Sequence, residues 1–85
     1  MENILSNNLK VFPNPFNSST TIEFPNDNNE VFKLYIYDVM GCLVRKQDNI
    51  STDKLVIEKA GLIKGVYFIE LKSANQSIKT KIIVE

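Results

Sequence analysis

A chain of 85 residues, 44% of them apolar and with ten basic side chains balancing ten acidic ones, has the make-up of one small globular domain. It is neither a disordered tail nor a partner for nucleic acid or an anionic membrane. Its single cysteine, Cys42, excludes an internal disulfide, and no apolar run approaches the ~20 residues that a membrane-spanning helix needs.

The first eight residues, Met1 to Asn8, are polar and lack both the basic and the apolar regions of a secretory signal. They are expected to form a loose linker before a folded unit at 9–85. Such a start fits either a cytosolic protein or a piece of a larger secreted one. Leu9-Lys10-Val11-Phe12 begins an extended segment that Pro13-Asn14-Pro15 halts. Two prolines fix φ, remove two N–H donors and disfavour helix before them, which predicts a rigid corner at a sheet edge or between sheets. Phe16 follows as an apolar plug, and Asn17-Ser18-Ser19 reads as a turn.

Thr20 to Phe24 alternates as a half-buried strand should, with Thr20, Ile22 and Phe24 inward. After the polar loop Pro25 to Glu30, the run Phe32 to Val44 reads as strand, turn, strand. Phe32, Leu34 and Ile36 share one face, with Lys33, Tyr35 and Tyr37 on the other. Asp38-Val39-Met40-Gly41 supplies the turn: the carboxylate can accept from N–H groups ahead of it, and glycine takes positive φ at little cost. Leu43 and Val44 resume the extended pattern, and Arg45 to Asn49 turns fully polar.

Lys54 to Glu58 alternates again. Lys59 to Gly65 reads as a crossing loop with Leu62 pinned in the core. Val66 to Leu71 is the most apolar strand, with Tyr67, Ile69 and Leu71 on one side. A short turn at Ser73 to Gln76 leads into the closing strand Ser77 to Val84, where Lys79 and Lys81 would protect an exposed edge. About seven short strands, with turn signals between them and no helix of useful length, predict an all-β, immunoglobulin-like antiparallel sandwich.

Catalytic groupings are nearly absent. Without histidine the chain lacks the usual general base, the Ser-His and Cys-His nucleophile arrangements and the commonest metal ligand. The predicted reading is a non-enzyme without cofactor or metal. Cys42, with no histidine to activate it, reads as a small, partly buried side chain. The Asn26 to Glu30 loop offers oxygen ligands but lacks the glycine and spacing of a calcium loop, so it reads as a solvated turn. Tyr35, Tyr37 and Phe68 form a candidate aromatic binding surface, set against plain cross-strand pairing. Gly65-Val66-Tyr67 has the form of a tyrosine corner, in which the hydroxyl bonds back to upstream backbone.

Four segments stand in a recognisable order: Val11-Phe12-Pro13-Asn14-Pro15-Phe16, Ile36-Tyr37-Asp38-Val39-Met40-Gly41, Gly65-Val66-Tyr67-Phe68 and Lys79-Thr80-Lys81-Ile82-Ile83-Val84. Together they resemble the type A C-terminal sorting domain of proteins exported by the type IX secretion system of Bacteroidetes-type bacteria. The resemblance implies an address at the end of a larger secreted protein, with an N-terminal cargo domain. In that family the address is read by the outer-membrane secretion machinery during passage from the periplasm to the cell surface. A surface-processing peptidase then typically removes it, and cleavage would fall before Leu9.

By position the resemblance assigns recognition to Pro13, Asn14, Pro15, Asp38, Gly41, Gly65, Tyr67, Lys79, Lys81, Ile82, Ile83 and Val84. Cys42 stands where such domains commonly have Arg or Lys, and Lys64 where a small residue or Pro is usual. A carbohydrate-binding or adhesion module appended to a secreted enzyme is the alternative, with Tyr35, Tyr37 or Phe68 stacking on sugar rings.

Overall fold

The computed structural model describes residues 9–85; the linker expected over 1–8 lies outside the described residues. Seven strands form: β1 (Lys10–Phe12), β2 (Ser19–Glu23), β3 (Phe32–Tyr37), β4 (Leu43–Ile50), β5 (Lys54–Glu58), β6 (Gly65–Lys72) and β7 (Ser77–Val84). They make a three-stranded sheet, β1-β2-β5, and a four-stranded sheet, β4-β3-β6-β7, every paired neighbour antiparallel. This is the expected sandwich, in which the inward half of each alternating strand finds cover on the facing sheet.

The core follows the period-2 pattern. Thr20, Ile22 and Phe24, Phe32, Leu34 and Ile36, and Tyr67, Ile69 and Leu71 are all buried, with Ile78, Ile82 and Val84 closing one side. Phe16 and Leu62 enter from loops as expected. Buried Thr20 keeps its hydroxyl satisfied by donating to the Pro13 carbonyl at 2.6 Å.

Two readings need correction. The polar stretch after Val44 does not end the strand, because β4 continues to Ile50. As the outermost strand beside β3 it is exposed along most of its length, so it needs no apolar face to pair. Cys42 is exposed rather than partly buried, since it sits at the hairpin beyond the cover of either sheet.

The register gives the sandwich two distinct ends. At one end, β1, β2 and β5 meet at Lys10, Glu23 and Lys54, and the loops at 24–31, 51–53 and 73–76 gather there. Asn26 ties these loops together. Its amide donates to the carbonyls of Glu30 (3.0 Å) and Thr52 (2.9 Å), and its oxygen accepts from Glu30 N–H at 2.7 Å. The stretch read as a solvated turn therefore contains a buried polar knot. At the other end lie the starts of β2, β4 and β6 and the ends of β3, β5 and β7.

Candidate functional site

All four signature segments converge on that second end. The Pro13-Asn14-Pro15 corner carries the chain from β1, on one sheet, to the edge of β7, on the other. Both proline peptide bonds, Phe12–Pro13 and Asn14–Pro15, are cis. The Asn14 side chain lies along β7: its Oδ1 accepts from Ile83 N–H at 2.9 Å and its Nδ2 donates to the Lys81 carbonyl at 3.2 Å. Phe16 continues the contact, donating its N–H to Ile83 C=O (3.0 Å) and accepting from Glu85 N–H (2.8 Å) in a parallel bridge to Val84. The opening and terminal motifs are thus one unit.

The third motif pairs with the same strand. Gly65 lies opposite Val84, Tyr67 opposite Ile82 and Phe68 opposite Lys81. Gly65 has φ +150, a region that favours glycine, while a Cβ built there would meet open space; backbone conformation, not crowding, explains the residue. Tyr67 is buried and its hydroxyl donates to the Ile63 carbonyl at 2.5 Å, the expected tyrosine corner.

The hairpin completes the end. Gly41 N–H donates to Asp38 C=O at 3.0 Å, with Gly41 at φ +86, and Asp38 Oδ1 accepts from the N–H groups of Met40 (2.9 Å) and Cys42 (3.0 Å). Asp38 and Tyr67 line a cleft of 330 Å³ with Arg45 and Ile63 between the hairpin and the β5–β6 loop. Val44 and Ile63 line it and are exposed, and Val39, Met40 and Leu43 are exposed on the adjoining hairpin, apolar surface that a turn-and-loop reading of the sequence does not single out.

Burial divides the twelve recognition candidates. Tyr67, Ile82 and Val84 face the core and act through the fold. Lys79 and Lys81 stand exposed on the outer face of β7, and Ile83 is half-buried between core and solvent. Lys79 lies nearer mid-strand, opposite Glu70, and is the terminal-motif residue furthest from the signature end.

Arg45 is a residue the sequence reading missed. It pairs with Ile36 in the ladder, so its side chain leaves on the inner side of β4. There the guanidinium donates to the carbonyls of Glu58 (2.6 Å), Lys59 (3.3 Å) and Ala60 (2.9 Å), joining the two sheets at the signature end. An arginine two residues into a strand, on the side of the apolar row, was the available signal.

The aromatic candidates do share a surface. Tyr35, Tyr37 and Phe68 lie on the outer face, with Tyr37 directly opposite Phe68. Tyr35 and Tyr37 stack on each other, centroids 6.4 Å apart and planes 21° apart, and both are half-buried. Phe68 is 46% exposed beside a shallow 220 Å³ groove shared with Glu70 and Lys79. Two of the three rings therefore spend face area on one another.

With this geometry in view, comparison with known proteins gives a direct result. Residues 10–85 match the family described as the secretion system C-terminal sorting domain. The chain belongs to that family. It is a sorting domain of type IX secretion, a non-catalytic module of proteins bound for the cell surface or the extracellular space. The chain is also similar to an endo-acting ulvan lyase of Formosa agariphila, 36% identical over 75 residues, which are 87% of this chain and 14% of that protein. The sorting domain thus spans about one-seventh of the length of that curated relative.

Proposed function

We propose that this sorting domain is read as a folded unit at its signature end, and that it directs an N-terminal cargo from the periplasm through the outer-membrane type IX machinery. The observation that carries the reading is the Asn14 clamp on β7, which makes one surface from motifs at opposite ends of the chain. On this reading Pro13, Pro15, Asp38, Gly41, Gly65 and Tyr67 fix the shape of that end, with Ile82 and Val84 anchoring it from the core. Lys79, Lys81 and Ile83 supply the groups that a receptor touches.

The chain enters the sandwich at Lys10, paired with Glu23 at the far end. A cargo joined before Leu9 would leave the signature end unobstructed, and cleavage there by a surface peptidase would release it. The similarity to a much longer enzyme supports a large catalytic cargo. The carbohydrate-binding alternative draws less support, because the Tyr35–Tyr37 stack leaves only Phe68 of the three candidate rings exposed.

The test is a fusion of residues 1–85 to a periplasmic reporter in a type IX-competent host. Appearance of the reporter at the surface or in the medium is the expected result; retention in the periplasm overturns the reading.

A further inference from the structure

The outer edge of β7 is half occupied. Asn14 behaves there like one residue of an added strand, accepting from one peptide N–H and donating to the carbonyl two residues earlier, and Phe16 extends the same ladder. These bonds show that Lys81 and Ile83 turn peptide groups toward the edge. The two-residue period of a strand then turns those of Ser77 and Lys79 the same way, along with the N–H of Lys81. No hydrogen bond to these backbone groups is present among the described residues. The ladder behind them is unbroken, with β7 paired to β6 from Lys72–Ser77 to Gly65–Val84.

The other edges are poorer templates. β4 is interrupted by two register shifts and by Asn49 at φ +60, β1 has three residues and β5 has five. β7 alone combines length, regularity and free main-chain groups, the condition under which strand edges recruit a further strand.

Side-chain charge specifies the occupant. On the outer face of β3, β6 and β7 stand Lys33, Lys72, Lys79 and Lys81 with the single carboxylate Glu70, which already accepts from Ser77 Oγ at 2.9 Å. A second copy of β7 laid antiparallel along this edge would set its own lysines against Lys79 and Lys81, and like charges directly opposite are destabilising. A strand with acidic residues at those positions would instead gain both main-chain bonds and charge pairing.

We propose that the open edge of β7, from Ser77 to Lys81, is a strand-addition site for an extended acidic segment of the export machinery. The proposal rests on the sorting reading above and extends the surface that is read from the signature end along β7 toward its start. The added strand covers about five residues, ~17 Å, and ends where Asn14 already holds the Lys81 carbonyl. Main-chain bonds hold it; acidic side chains opposite Lys79 and Lys81 select it.

The test uses the reporter fusion with two edge variants. Lys79→Pro removes an edge-facing N–H that the β6–β7 ladder does not use. Lys79→Glu combined with Lys81→Glu keeps the backbone and reverses the charge. Lys10→Glu combined with Lys46→Glu makes the same change in net charge away from both the edge and the signature end. With wild type exported, both edge variants are expected to lose about tenfold or more of the exported reporter, as a lost main-chain or charge-assisted bond would give. The control is expected to export normally and all variants to remain folded at the assay temperature, the Lys79→Glu pair melting slightly lower because position 79 lies opposite Glu70. Normal export of either folded edge variant, or an equal loss in the control, overturns strand addition and leaves sorting intact. Retention of the wild-type fusion overturns the sorting reading and this proposal with it. If Lys79→Pro does not fold, the charge-reversal pair and its control decide by the same criteria.

Discussion

Asn14 and Ile83, 69 positions apart, are joined by a 2.9 Å hydrogen bond from the Ile83 peptide N–H to the Asn14 side chain. The same amide reaches back to the Lys81 carbonyl, so this side chain and the Phe16 backbone together close the C-terminal half of a sheet edge. Asn14→Ala is expected to lower stability by about 1 kcal/mol, since both bonds are solvent-accessible and the freed groups can meet water. Hydrogen exchange at the Ile83 amide should speed up more than at core amides such as Ile69. Unchanged exchange at Ile83 would contradict the clamp.

Tyr67→Phe keeps the buried ring and deletes only the hydroxyl that donates to Ile63 C=O. The expected loss is about 1 kcal/mol or more, because the Ile63 carbonyl loses its partner at a part-buried site. Chemical denaturation with an unaltered slope and a lower midpoint is the predicted signature.

Arg45→Lys tests whether the guanidinium fork matters. A lysine carries the charge but cannot spread donors across the carbonyls of Glu58, Lys59 and Ala60, so about 1 kcal/mol of stability should be lost. Arg45→Ala should cost at least as much; if Arg45→Lys melts like wild type, simple charge suffices.

Phe16→Ala should be the most damaging of these changes. The ring is almost fully buried between the corner and β7, and truncating a core phenylalanine costs about 3–5 kcal/mol. A domain of this size has a total margin of roughly 4–13 kcal/mol. Circular dichroism on heating is expected to show a large fall in midpoint, with Phe16→Leu intermediate.

Most of the strand pattern was legible because alternation encodes it directly. The faces of β2, β3, β6 and β7 follow from which residues are apolar, and the hairpin from the chemistry of Asp38 and Gly41. The extent of β4 was not legible. A strand exposed along most of its length carries no apolar row, and its register with β3 supplies the missing information. Arg45 was hidden for the same reason: its role depends on carbonyls 13 to 15 residues away, which only the packing of one sheet over the other brings within reach.

The sequence by itself determined an all-β sandwich, its core and the four-part signature of a sorting domain, since these are local patterns of polarity, turn residues and motif order. Only the tertiary structure decided that the four parts share one end and that Asn14 and Phe16 occupy half of the β7 edge. It also decided that Lys79 and Lys81 stand beside the half left open. Which strand becomes an edge, and what covers it, depends on long-range pairing, and no local pattern specifies that.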